Sequence, residues 1–281
     1  MKFYKYHALG NDYLVMRAAD LPAPFTPEQV QRICHRHFGI GSDGILLQQA
    51  KNSEGQQVLT IYNPDGSTAE KSGNGLRIFS RFLWDQHEVA DEPFVIVTEG
   101  GLVRAQVQDH GAQVTVEMGT VSFDSEVIPV VGPKREVLRE SISVDGATFE
   151  FNAATIGNPH CVIIRDRISA DDAKRFGPHL EVEPRFPNRT NVQFMEIVDR
   201  NNIRIEIWER GAGYTLASGS SSSASAAVAY RLGLCDREIA VHMPGGTIGI
   251  RIEDDFSILM TGGVTRVAEG ELFDEMLRWS M

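Results

Sequence analysis

An internal repeat constrains this chain more than any other feature of its sequence. Residues 61–84 (IYNPDGSTAEKSGNGLRIFSRFLW) pass from an apolar strand ending at Tyr62, through a turn at Asn63-Pro64-Asp65-Gly66, into a helix opened by Ser72-Gly73-Asn74-Gly75. Residues 203–232 (IRIEIWERGAGYTLASGSSSSASAAVAYRL) repeat the layout. An alternating strand runs through Ile203, Ile205 and Ile207, a turn sits at Gly211-Ala212-Gly213, and Ser218-Gly219-Ser220-Ser221 opens an alanine-rich helix. Other pairs hold nearly the same offset: Asn11 and Asn158 (158 − 11 = 147), Gly44 and Asn191 (191 − 44 = 147), Ser72 and Ser218 (218 − 72 = 146). This period predicts two homologous halves, each about the size of a small domain.

Each helix N-terminus has a physical use. Free backbone N–H groups meet the positive end of the helix dipole there, so the loop is suited to hold an anion such as a carboxylate. One such loop is equally well explained as a structural turn; a second at a matched position favours binding.

Composition bounds the partners. At 281 residues, with 42% hydrophobic and 23% charged, the chain can form one large or two medium domains with a real core. A net charge of −11 argues against nucleic acid or an anionic membrane surface as the main partner. No apolar run approaches the ~20 residues that span a bilayer, and Met1-Lys2-Phe3 opens a strand rather than a signal peptide. The expected location is therefore cytoplasmic. Cys34, Cys161 and Cys235 are odd in number, far apart and without metal-ligand spacing, which predicts buried thiols, no disulfide framework and no metal site.

In chain order, residues 3–16 read as two strands broken at Gly10-Asn11-Asp12, 26–37 as a helix that starts at Thr26-Pro27-Glu28, and 45–48 and 58–62 as strands. After the first glycine-rich helix start, 94–98, 103–107 and 114–118 read as strands. Residues 125–138, with Pro129 and Pro133, have the composition of a crossing between the halves. A second round follows: strands 149–155 and 161–165, a helix at 170–176, a hairpin of 191–198 with 203–208, and closing strands 240–243, 247–253 and 256–261. The expected architecture is α+β, with two pseudo-symmetric halves, 1–124 and 125–262. Each is a mostly antiparallel sheet wrapped around a central helix, with an active-site cleft between them and the segment after about 262 packing back onto the first half.

Two similar halves that each offer a helix N-terminus suit stereoinversion next to a carboxylate. One group removes the α-proton from one face and another returns a proton to the opposite face, while the helix ends stabilise the developing enediolate. No organic cofactor is required, and the sequence has neither a nucleotide-binding loop with its lysine nor a dinucleotide fingerprint.

The motifs themselves carry a resemblance. His7-Ala8-Leu9-Gly10-Asn11-Asp12, residues 63–77, Gly157-Asn158-Pro159-His160-Cys161, Asn191 and Glu209-Arg210-Gly211-Ala212-Gly213 stand in the order seen in diaminopimelate epimerases, which the chain resembles along nearly its full length. The resemblance implies a racemase or epimerase of lysine biosynthesis that acts without pyridoxal phosphate on a small amino acid, with a homodimer as the expected assembly. It further implies that Asn11, Asn63, Asn158, Asn191 and Arg210 bind the distal end of the substrate. His160 and Glu209 would flank the reacting centre, and Gly73, Asn74, Gly219 and Ser220 would grip its carboxylate. Each has a bland counterpart, since asparagine beside glycine caps turns and Glu-Arg pairs are often structural.

The departure from the family lies at its two catalytic cysteines, which fall on Ser72 and Ser218. A thiol with a reference pKa of ~8.5 becomes a usable thiolate at a helix N-terminus. A serine hydroxyl does not, because the dipole contributes ~0.3–1 kcal/mol, up to ~2 in favourable cases, at 1.36 kcal/mol per pKa unit. Tyr214 also replaces a usually acidic residue, and Ser220-Ser221-Ser222-Ser223 replaces a threonine- and glycine-containing run. Three readings follow. The chain is an epimerase for diaminopimelate or a related amino acid such as histidine, with Ser72 and Ser218 activated by neighbours or standing as artificial replacements that trap substrate; it catalyses another carbanion reaction such as elimination; or it is a non-catalytic amino-acid binder.

Overall fold

The structure, a computed structural model, describes residues 1–278. The chain divides into two compact units, one formed by residues 1–116 with 262 onward and the other by 117–261.

In the first unit, β1 (Lys2–Ala8) pairs antiparallel with β2 (Asn11–Arg17), and α1 (Pro27–Cys34) then carries the chain over to β3 (Ile45–Gln48), parallel to β2. β4 (Gln57–Tyr62) returns antiparallel to β3, and the short β5 (Thr68–Ala69) folds back on it. α2 (Gly73–Asp85) is the second crossover, to β6 (Phe94–Thr98), which runs parallel to β4. β7 (Gly101–Gln108) and β8 (Gln113–Thr120) close the series antiparallel. On the outer edge the C-terminal strand Thr265–Glu271 pairs with β1.

The second unit repeats this plan element for element. β9 (Glu140–Val144) edges β10 (Ala147–Thr155), which pairs antiparallel with β11 (Pro159–Ile164). α3 (Ala170–Glu181) crosses to β12 (Asn191–Asp199), parallel to β11. β13 (Asn202–Glu209) and β14 (Gly213–Thr215) follow antiparallel, and α4 (Gly219–Arg231) crosses to β15 (Glu238–Met243), parallel to β13. β16 (Gly246–Ile252) and β17 (Ser257–Gly263) close antiparallel. The sheets are mostly antiparallel, and the four parallel pairs named here, β2–β3, β4–β6, β11–β12 and β13–β15, are each bridged by a helix.

Helices lie on both faces of each sheet, so β2, β3, β11 and β12 are buried as continuous runs, whereas β4, β13 and β16 keep a clean alternation. In the first unit, Leu14, Met16, Ile45 and Leu47 pack with Val30 and Ile33 of α1, while α2 is buried on nearly all sides against β1, β2 and β7. In the second, Phe149, Phe151, Cys161, Ile163 and Phe194 pack with Phe176 and Leu180 of α3. The Ala/Ser composition of α4 lets strands approach it from all around, and Ser221 through Ala229 are buried.

The structure corrects several sequence-based bounds. The break between the first strands falls at Leu9-Gly10, so Asn11 and Asp12 already belong to β2. α1 stops at Cys34 rather than His37, because the following loop captures its last carbonyls: the Ile40 and Gly41 N–H groups donate to Ile33 O, and that of Ser42 to Cys34 O. α3 runs to Glu181, past Gly177 and Pro178, where the sequence predicts an end at Phe176. There the Gly177 backbone lies so close to Trp208 that an added Cβ would sit 2.5 Å from the indole, and buried Glu181 accepts from Trp208 Nε1 (2.7 Å) and Gly211 N (2.8 Å). That packing outweighs the ~3 kcal/mol cost of an internal proline. β9 is an addition to the expected strands, and β10 begins at Ala147 rather than Phe149; the two-residue turn between them, Asp145-Gly146, has positive φ at both positions (48° and 73°).

Candidate active site

In the first unit the site starts from the N-cap of α2. Ser72 is extended (φ −142°) and its Oγ accepts from Gly75 N at 3.1 Å, leaving the Gly73 and Asn74 N–H groups outside the intrahelical ladder. Tyr13 Oη lies 3.4 Å from Ser72 Oγ. Strand alternation puts Leu14 and Met16 on the α1 side of β2 and turns Tyr13 to the other face. Gly44 makes room for it: a Cβ there would lie 2.7 Å from the Tyr13 ring and 2.3 Å from Tyr62 O.

Asn74 Nδ2 donates to Asn11 Oδ1 (3.1 Å), and Asn11 Nδ2 donates to Asp43 Oδ2 (2.8 Å). Asp43 shares Arg36 with Asp12, which Lys5 also contacts at 2.8 Å. Burial pushes the Asp12 carboxyl up, but the hydrogen bonds from Arg36 and Lys5 outweigh it and hold the group below its ordinary value. Asn63 is tied within its own turn, with Nδ2 on Ser67 Oγ (2.9 Å). Asn11, Ser72, Gly73 and Asn74 are thus gathered at the α2 N-terminus, and Asn63 is not hydrogen-bonded to them.

The second unit builds the same kind of helix start from different side chains. Ser218 caps α4, accepting from Ser221 N at 3.4 Å, and its hydroxyl lies near enough to the carboxyl of Glu209 to influence that group's protonation. Burial pushes the Glu209 carboxyl above its ordinary value, and the Ser218 hydroxyl pulls the other way. Asn158 Nδ2 donates to Ser220 Oγ (3.4 Å), the counterpart of the Asn11–Asn74 tie, and His160 Nε2 lies 3.0 Å from Asn158 Oδ1. His160 is fully buried, which pushes its pKa down to about 3, so the ring is neutral at working pH. Asn191 Nδ2 donates to Pro159 O (2.9 Å) and its Oδ1 accepts from Arg210 N (3.0 Å). The Arg210 guanidinium is exposed and donates to Asn188 O. Gly219 is buried in the first turn beside Ser220. Tyr214 is engaged elsewhere, donating to Glu206 Oε2 at 2.7 Å, with Lys174 over its ring.

Each capping serine therefore has a titratable neighbour, but from a different strand: Tyr13 of β2 in one unit, Glu209 of β13 in the other. Sequence reasoning passes over Tyr13, although its offset from His160 (160 − 13 = 147) marks it. A hydroxyl beside a carboxylate has the chemistry to take a proton from carbon while passing its own to that carboxylate. Among the described residues, no group of His, Cys, Asp and Glu is positioned to hold a metal ion, and no helix is long and apolar enough to cross a membrane.

The diaminopimelate epimerase family profile matches residues 3–123 and 152–267. Diaminopimelate epimerase 2 of Nostoc sp. is 62% identical over 98% of this chain and 97% of its own length. Diaminopimelate epimerase 1 of the same organism is 37% identical over 97% and 99%. Among solved structures, a hydroxyproline epimerase from Agrobacterium vitis with bound trans-4-hydroxy-L-proline superposes with a TM-score of 0.69 at 16% identity, covering 97% of this chain and 90% of that one. At that identity it shows a shared fold.

Proposed function

The chain belongs to the diaminopimelate epimerase family, and from that premise we propose that it is an isomerase interconverting L,L- and meso-diaminopimelate by moving a proton on the α-carbon. The observation that carries this reading is a duplicated feature: a capped helix N-terminus with a hydroxyl and a proton-bearing neighbour, present once in each unit. Stereoinversion needs one proton carrier for each face of the α-carbon, and the chain has two candidates.

The steps follow from these groups. Backbone N–H groups at a helix N-terminus hold the substrate carboxylate and stabilise the charge that spreads onto it when the α-proton leaves. Ser218 Oγ takes that proton as its own passes to Glu209. Ser72 gives a proton to the carbanion, resupplied through Tyr13. The reverse reaction runs the same transfers backwards. Asn11 and Asn158 orient the first turns of α2 and α4, and Asn63, Asn191 and Arg210 supply polar groups for the distal amino-acid end. His160, neutral and bonded to Asn158, serves by fixing that asparagine. A cytoplasmic homodimer completes the reading, which sedimentation and cell fractionation check.

The test is α-proton exchange. L,L-diaminopimelate incubated with the protein in D₂O should gain deuterium and convert to the meso isomer, read by NMR and chiral chromatography. Saturable binding with neither exchange nor inversion would overturn the enzyme reading. Cysteine at both Ser72 and Ser218 should raise the rate, since a thiol is far more acidic than a serine hydroxyl.

A further inference from the structure

Arg77, in α2, is the largest side chain wholly removed from solvent, with 0% exposure. A guanidinium carries five N–H donors and a permanent charge. Here one bond is made: Nη2 donates to Asn74 Oδ1 at 2.7 Å, while Nε and Nη1 have no partner. Burial alone depresses its pKa, to about 10, with no neighbouring charge contributing. The Gly262 backbone packs against it so closely that a Cβ there would lie 2.6 Å from Nη1. Its own helix makes matters worse, because the charge sits near the positive end of the α2 dipole.

A buried cation without a counter-ion costs free energy, and the fold keeps it pressed against the first turn that Ser72, Gly73 and Asn74 form. The matching position in the other unit is Ser223 (223 − 77 = 146), which is neutral and donates to Gly219 O at 2.8 Å. The repeat therefore places a cation under the first turn of α2 and a neutral hydroxyl under that of α4.

We propose that Arg77 is an electrostatic positioning residue whose charge is compensated when a substrate carboxylate docks at the α2 N-terminus. It acts through Asn74, fixing that amide so that Nδ2 holds Asn11, and it makes the α2 N-terminus the stronger anion site of the two. This rests on the epimerase reading for the identity of the carboxylate.

Arg77→Gln keeps a donor for Asn74 and removes the charge; Arg77→Lys keeps the charge. Titration calorimetry with L,L-diaminopimelate should show binding at least about 10-fold weaker in R77Q and within about 3-fold of wild type in R77K. Ligand-free R77Q should melt no lower than wild type, because the desolvated charge is gone. A purely structural arginine would instead lower the melting temperature in both variants. R77Q binding as tightly as wild type, equal losses in R77Q and R77K, or failure of both to fold would each overturn the proposal. Millimolar sulfate, against sodium chloride of equal ionic strength, separates the two readings. If the wild type ignores diaminopimelate but sulfate raises its melting temperature and not that of R77Q, the substrate assignment fails and the role of Arg77 stands. If neither probe affects the wild type, both fall.

Discussion

Lowering the pH from 7 to 5 should destabilise this protein through His160. The ring is 0% exposed, and burial holds its pKa near 3 against an ordinary value of 6.5. A histidine whose pKa is depressed on folding contributes stability that is fully present above the unfolded value and is lost as pH falls below it. In the window from 6.5 down to 5 the unfolded chain takes up a proton that native His160 refuses, so stability falls by up to ~1.4 kcal/mol per pH unit. Integrated from pH 7 to 5, the loss is about 2 kcal/mol. Its size is set by the unfolded value, because native His160 binds almost no proton above pH 4. Urea denaturation of wild type and His160→Gln across this range isolates the contribution, since Gln can still donate to Asn158 Oδ1 and does not titrate. The difference in unfolding free energy between the two proteins should shift by that amount between pH 7 and 5. A difference independent of pH would show that native His160 titrates as it does in the unfolded chain, and would restore it as a candidate proton carrier.

Other perturbations follow from single contacts. Glu209→Gln removes the carboxyl beside Ser218 and should lower inversion by at least ~100-fold, the ordinary scale of acid–base catalysis, while deuterium exchange of one diaminopimelate isomer survives. Tyr13→Phe removes only the hydroxyl near Ser72 and should slow inversion while sparing exchange of the opposite isomer; equal loss from both isomers would refute the assignment of one pair to each face. Gly177→Ala forces a methyl group into the Trp208 indole and should destabilise the protein by ~1–3 kcal/mol in thermal or urea unfolding, whereas an unchanged midpoint would mean that α3 shifts freely on β13.

Features readable from the chain alone are local or periodic. Ser72 and Ser218 read as helix caps because capping is decided within three residues, and the Gly75 and Ser221 N–H groups take up those bonds. The repeat near 147 residues reads as two like halves because duplicated segments face the same folding problem, and the strand pairings recur in the same order. The Asp145-Gly146 dipeptide suits positive φ at both positions, and the strand after it reads from the sequence; only the five-residue strand before it, Glu140–Val144, goes unread. Glu209 lies nine residues before Ser218 and is legible beside it, whereas Tyr13 reaches Ser72 from a strand 59 residues away, a contact that only long-range packing settles. The same packing carries α3 past Pro178, where contacts with Trp208 and Gly211 override a strong local signal. Charge state was likewise invisible in the chain. His160 is neutral and Arg77 uncompensated because of what surrounds them on every side, and the cost of burying a charge depends on that three-dimensional environment.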